Sequence, residues 1–154
     1  MKNTSFLKSL YHALRGFRDA LMRERNLRVH TVVANLICFF AVHYKISRTE
    51  WAILITVIGL VIACELLNSA VEKAVDTATP QRRADAMHAK DFGAAATLVG
   101  AVCALGTGVA IFGDIEKITA ALRLIFTTPA SLIILAALAA ADLKILFINF
   151  RRKL

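Results

Sequence analysis

Long apolar runs alternate with short charged breaks along this chain, and that alternation sets its architecture. Apolar stretches occupy residues 29–46 (interrupted by Asn35 and His43), 51–64 with a polar continuation to Asp76, and 92–112. These runs approach or exceed the roughly 20 residues that a helix needs to cross a bilayer. A further run over 129–141 continues to Phe150 across Asp142 and Lys144. Ahead of them, residues 8–28 repeat Leu10, Leu14, Phe17 and Leu21 at helical spacing, with Arg15, Arg18, Asp19 and Arg23 on other faces. That is the pattern of an amphipathic helix lying on a membrane surface. The reading is an all-α polytopic membrane protein. It has a surface helix within 1–28, spans at about 29–46, 51–76 and 87–112, and a fourth span in a C-terminal segment, 113–154. Residues 45–50 form a short polar turn, 77–85 a loop broken by Pro80, and 113–128 a link to the last span.

Composition narrows the class further. Hydrophobic residues make up 58% of the 154 positions, which excludes an ordinary soluble domain. Cys38, Cys64 and Cys103 are isolated within apolar runs and read as small hydrophobes, neither metal ligands nor a disulfide framework. The basic start, without a long apolar core, is no cleavable signal peptide. The net charge of +8 is distributed by side. Seven Lys and Arg lie in 1–28, four in 73–90 and three at the C-terminus, against Lys45, Arg48, Lys117 and Arg123 on the other side. The positive-inside rule accounts for this with four spans and both termini in the cytoplasm, so no nucleic-acid partner is expected.

Chemistry concentrates in 62–76. On a helix Glu65, Asn68, Glu72 and Asp76 share one face, and Leu66, Ala70, Lys73 and Ala74 take the opposite one. Trp51 opens this span at the interface, and at about 1.5 Å per residue Glu65 lies roughly 21 Å along from it. Glu65 is therefore expected in the inner leaflet, with Glu72 and Asp76 at or beyond the headgroups. Polar residues in bundles often only bind helices together. A stripe of three carboxylates and an amide crossing the membrane boundary argues instead for a functional site. Lys90 and Asp91 stand at the cytoplasmic start of the next span, and Gly93, Ala94, Ala95, Ala96, Gly100 and Ala101 offer a small-residue surface for close helix approach.

The residues fit phosphoryl transfer, which needs positioning, charge neutralisation by metal and an acceptor for a hydroxyl proton. Magnesium takes one or two carboxylates and leaves its other positions to phosphate and water, a pattern that Glu24 and Glu72 fit. Glu65, among apolar neighbours, suits a general base for an alcohol, and Asn68 would fix the carboxylate or a phosphate oxygen. No Walker-type loop, Gly-rich nucleotide fingerprint or kinase catalytic loop is present in the sequence.

Glu65-Leu66-Leu67-Asn68-Ser69-Ala70-Val71-Glu72, then Asp76, then Ala89-Lys90-Asp91-Phe92-Gly93, resembles the signature of the prokaryotic diacylglycerol kinase family, which includes undecaprenol kinases. The resemblance covers roughly residues 5–112. It implies an ATP-dependent lipid kinase in the bacterial cytoplasmic (inner) membrane, its site facing the cytoplasm, working as a homotrimer with shared sites. It assigns Glu65 as the catalytic base and Glu24 and Glu72 as magnesium ligands. ATP contacts fall to His12, Glu24, Asn68, Glu72, Asp76, Lys90 and Asp91, and the lipid alcohol to Glu65, Asn68 and Ser69. The wording Glu24-Arg25-Asn26-Leu27-Arg28-Val29-His30 is similar to the undecaprenol kinases, so an undecaprenol-like substrate is preferred over diacylglycerol. The sequence departs from the family at Gln81 and Arg83, where an acid and a histidine are usual. It departs also at His12, in place of a tyrosine, and at Ser5, where diacylglycerol kinases carry arginine. An ion-coupled transporter would call for mid-membrane acids on several spans, and the first and third supply none. A non-catalytic interaction protein leaves the acid stripe meeting Lys90 and Asp91 unexplained.

Overall fold

The computed structural model describes residues 6–78 and 84–147. Six helices follow in order: α1 (Phe6–Arg23), α2 (Arg25–Tyr44), α3 (Arg48–Ala78), α4 (Ala84–Phe112), α5 (Ile115–Thr127) and α6 (Pro129–Leu146). Four of them, α2, α3, α4 and α6, are long and apolar enough to cross a membrane. The chain is an all-α, multi-pass membrane protein.

Four boundaries differ from the sequence expectation. The surface helix does not run to residue 28. It stops at Arg23, and Glu24 takes an extended conformation (φ −95°, ψ 116°) before α2 begins. Arg28 of α2 is buried and donates to the carbonyls of Leu21 and Met22 at 3.4 and 3.1 Å. A cation thus meets carbonyls at the C-terminal end of α1. That junction frees α1 to lie away from the axis of α2.

The second difference is at 113–128, expected as a link, which is mostly a helix. The Asp114 carboxylate accepts from the backbone N–H groups of Glu116 and Lys117 at 3.0 and 3.1 Å, an N-cap that starts α5. Its apolar face then buries Ala121 and Ile125. Pro129 in the first turn of α6 restarts the chain as a new helix, since its missing N–H is not needed there. Third, the expected loop 77–85 is shorter. Residues 77 and 78 finish α3, and Asp85 lies in the first turn of α4. Ser5 and the 79–83 stretch, with Pro80, Gln81 and Arg83, lie outside the described residues.

The polar turn after α2 is shorter than the expected 45–50, since residues 48–50 already form the start of α3. Lys45 adopts the left-handed conformation (φ 59°). Ser47 and Glu50 then cap α3 reciprocally, N–H of Ser47 to Glu50 at 2.6 Å and N–H of Glu50 to Ser47 Oγ at 3.3 Å.

The apolar core sits at the turn end of the bundle. Ala41, Tyr44, Ile46, Leu54, Ile111 and Ala121 bring α2, α3, α4 and α5 together, with Phe40 and Phe112 packed against them. The most extensive pairing is α3 with α4. With 31 residues α3 is about 46 Å long, well beyond a hydrocarbon core of about 30 Å. Its far end, carrying Glu72 and Asp76, therefore projects past the membrane. At the opposite end of α2 from the core, α1 and the polar half of α3 meet.

Candidate active site

Burial along α3 grades with depth. Glu65 is only 3% exposed, Glu72 is partly buried, and Asp76 is exposed. Each acid meets a different neighbour. The Glu65 carboxylate lies 3.5 Å from His30 Nε2 of α2, an ion pair whenever the ring is protonated. Buried Asn68 donates through Nδ2 to Glu72 Oε1 at 3.3 Å, while its Oδ1 is buried without a hydrogen-bond partner. Asp76 forms an ion pair with Lys90 at the start of α4. The stripe and Lys90 thus form one seam between α3 and the neighbouring helices.

Gly93 is what lets α4 reach this seam. A Cβ there would stand 2.5 Å from Asn68 Oδ1, inside any real contact. One helical face later, Gly100 approaches Cys64 and Val61 at ordinary distances, 3.7 and 3.9 Å for the same construction. Of the expected small-residue surface, Gly93 and Gly100 serve the α3 contact, whereas Ala94, Ala95 and Ala96 are exposed.

The other side of α3 faces α1. Gly16, Asp19, Ala20 and Arg23 of α1 and Leu66, Ser69, Ala70 and Lys73 of α3 line an open cleft of about 420 Å³. Ser69 is buried at its wall. Lys73 forms an ion pair with Glu24, the residue at the α1–α2 break. Its face, opposite the acids, is the face that α1 covers, and it carries the charge that meets Glu24. The spacing 66, 69, 70, 73 is itself a helical stripe, and that regularity was the legible signal for this second wall.

His12 extends the cleft-lining face of α1 by one turn, at position 16 minus 4, and is exposed beside Tyr11. Asp91 is exposed one residue beyond Lys90. Neither is drawn into the seam. Among the described residues no group of three or more His, Cys, Asp and Glu is arranged to hold a metal ion. Glu24 and Glu72 therefore stand at the site as separate carboxylates, one paired with Lys73 and the other with Asn68.

Beside Glu65 an apolar groove of about 70 Å³ opens between α2, α3 and α4. It is lined by His30, Val33, Ala34, Ile37, Ile58, Val61, Ile62 and Ala104. Its polar end is His30, which only the wording of the 24–30 stretch had singled out.

Buried Glu65 and the charged groups beyond it on α3 make this region the candidate site. The profile of the family described as prokaryotic diacylglycerol kinase matches residues 11–112. The chain belongs to that family, and the enzyme class is that of the ATP-dependent membrane lipid kinases. Among its relatives, undecaprenol kinase of Bacillus subtilis is 40% identical over 109 residues, covering 70% of this chain and 87% of the relative. Diacylglycerol kinase of Haemophilus influenzae is 31% identical over 103 residues, 67% of this chain and 86% of the relative. Diacylglycerol kinase of Helicobacter pylori (strain 26695) is 32% identical over 95 residues, 62% and 74% respectively. No solved structure matches the chain.

Proposed function

We propose that this lipid kinase transfers the γ-phosphoryl group of MgATP to the primary hydroxyl of an undecaprenol-like lipid alcohol at the cytoplasmic face of the bacterial inner membrane. The observation that carries the reading is the graded stripe on α3: a buried carboxylate at lipid depth, then an amide and two acids leading out to Lys90. A lipid hydroxyl reaches the first, and a nucleotide arriving from water meets the last.

In this reading Glu65 accepts the hydroxyl proton as the alcohol oxygen attacks the γ-phosphorus. Asn68 orients Glu72 through its Nδ2 bond, and Ser69 lines the approach of the acceptor. Lys90, released from Asp76, meets phosphate oxygens, and His12, Asp76 and Asp91 complete the nucleotide contacts at the water side. The donor set fits magnesium in kind. It offers oxygen ligands only, from Glu72 and Glu24, beside an Asn68 Oδ1 that is buried and unpartnered. Bound there, the ion would neutralise charge on the transferring phosphoryl group. Holding it with Glu24 requires the Glu24–Lys73 pair to open.

The apolar groove beside Glu65 suits the first segment of a lipid chain. The stretch Glu24–His30 and the 40% identity to an undecaprenol kinase favour the polyprenol over diacylglycerol. Both lipids place a primary hydroxyl at the same level, so discrimination rests on the groove, where one methylene is worth only about 1–3 kcal/mol. The exposed Ala94–Ala96 face of α4 and a cleft open on one side suit assembly as a homotrimer with shared sites. The test is a paired assay of undecaprenol and diacylglycerol at equal mole fraction in one micelle. The expected outcome is a higher kcat/KM for undecaprenol with measurable turnover of diacylglycerol. The reverse order overturns the preference, and no phosphorylation of either lipid overturns the kinase mechanism as proposed.

A further inference from the structure

The segment beyond residue 112 lies outside the family match, yet it is bonded to the helix that carries His30. Helix α6 buries two residues, Ser131 and Asp142, and both are polar. Ser131 Oγ lies 2.9 Å from His43 Nε2, and Asp142 Oδ1 accepts from Asn35 Nδ2 at 2.8 Å. The two bonds sit roughly 16 Å apart along α6, at about 1.5 Å per residue. They run in opposite order along α2, so α6 is fastened antiparallel to α2 near its outer end and at its middle.

The two halves of α2 are held differently. Its outer half, with Ala41 and Tyr44, is sunk in the apolar core, to which α5 adds Ala121. Its inner half is buried only at its start, at Leu27 and Arg28, and beyond them Val29, Val33 and Leu36 are exposed. There a groove, not a packed seam, separates α2 from Ile58, Val61 and Ile62 of α3. Arg28 ties α2 to α1, but α1 has no buried residue and is a weak anchor. Across the groove His30 stands 3.5 Å from Glu65, a separation that a small tilt of α2 would open. The Asn35–Asp142 bond lies five residues from His30, buried, with Asp142 only 4% exposed.

We propose that the α5–α6 segment is a built-in clamp that holds the inner half of α2 in place against α3, with Asp142 as a positioning residue that sets the His30–Glu65 approach through Asn35. The clamp's catalytic consequence rests on the lipid-kinase reading above. Displacement of a site group by about 1 Å lowers rate by as much as a hundredfold, so a lost clamp is read in kcat for the lipid. Apart from Glu24, which caps α2 and is paired to Lys73 of α3, the nucleotide contacts lie on α1, α3 and α4, away from the Asn35–Asp142 bond, so KM for MgATP is expected to change little.

The experiment uses the full chain in lipid nanodiscs. Asp142→Leu and Asn35→Ala each remove the bond, from opposite helices, and Asp142→Asn keeps an acceptor oxygen for Asn35. The expected result is a fall in kcat for undecaprenol of about tenfold or more in the first two, with KM for MgATP little changed. Asp142→Asn is expected to restore kcat to within about twofold, as a bond-mediated role requires. A second readout does not use activity. With Cys38, Cys64 and Cys103 replaced by alanine, spin labels at Leu36→Cys and Leu67→Cys report the α2–α3 distance. That distribution is expected to shift or broaden in Asp142→Leu and to return in Asp142→Asn. Wild-type kcat in both bond-breaking variants, or an unchanged distance distribution, overturns the clamp. If the unmodified chain phosphorylates no lipid alcohol, the kinase mechanism falls and the label distances alone decide the clamp.

Discussion

Two seams in this molecule place polar residues at membrane depth, and they are built on different terms. Between α2 and α6 two side-chain bonds join the helices, Asn35 to Asp142 and His43 to Ser131, while Asp142 Oδ2 is buried without a partner. Along α3 the polar groups grade from buried to exposed. Glu65 stands 3.5 Å from His30, Asn68 Oδ1 has no partner, and the pairs Glu24–Lys73 and Asp76–Lys90 lie at the water side, where they can exchange. Both seams offset the same difficulty, a polar group where lipid offers it no partner. The first offsets it with direct bonds between two helices, which suits adhesion. The second leaves oxygens and cations available, which suits binding and proton transfer. Each seam leaves one buried oxygen unpaired, so what distinguishes the α3 seam is its run of charged groups leading out to exposed positions.

That comparison breaks most sharply at Glu65. Glu65→Gln keeps shape and hydrogen-bonding capacity but removes the proton acceptor. Lipid phosphorylation is expected to fall by about 10²–10⁴-fold, the usual contribution of a general base, with expression and oligomer size intact. Wild-type turnover in the mutant would return Glu65 to the category of glue. The next largest effects belong to the carboxylates at the water side. Alanine at Glu24 or at Glu72 should abolish activity or raise the magnesium concentration needed for half-maximal rate, read from magnesium titrations at fixed ATP. Two single mutants with unchanged magnesium dependence would remove both from the metal site.

Gly93 and Gly100 sharpen the contrast by packing instead of chemistry. At Gly93 an added methyl meets Asn68 Oδ1 at 2.5 Å, so the side chain or the helix must give way. Gly93→Ala is expected to destabilise by about 1–3 kcal/mol and to disturb the Asn68–Glu72 bond, lowering both the melting temperature in detergent and the activity. Gly100→Ala adds a methyl at ordinary contact distance and should leave both nearly unchanged. Equal effects at the two positions would show that the α3–α4 pairing is looser than its geometry.

Much of this was legible in the sequence. The four long apolar helices, the acid stripe and its gradient of burial follow from hydropathy and helical spacing, because a bilayer forces both. What escaped was decided by short-range capping or by contacts between distant segments. The break at Glu24 depends on Arg28 reaching back to the carbonyls of α1, a contact that no periodicity announces. Helix α5 was announced, by Asp114 ahead of Glu116 and Lys117 and by Ile118, Ala121 and Ile125 on one face, but its polar content made it read as a link. The helical wheel places Lys73 opposite the acids, but only the fold shows that α1 brings Glu24 to it. Asp142 broke an apolar run in the sequence, and nothing in spacing alone connects it to Asn35.

The smallest expected effect tests the α2–α6 seam at its outer end. His43 Nδ1 lies 2.9 Å from the carbonyl of Phe39, which can only accept, so Nδ1 carries a hydrogen. In the neutral ring Nε2 then accepts from the Ser131 hydroxyl. Ser131→Ala removes that one bond and leaves the imidazole anchored to its own helix. Interhelical hydrogen bonds in membranes average about 0.6 kcal/mol and reach about 1.7 kcal/mol, so the melting temperature should fall only slightly. Catalysis should not follow it. Ser131 pairs with α2 where the apolar core already holds that helix through Ala41 and Tyr44, far from His30. Kinase activity within about twofold of wild type, alongside a small loss of stability, is the expected pair of results. A large loss of activity from Ser131→Ala would mean that the outer end of α2 also governs the site, and the division of labour between the two seams would not hold.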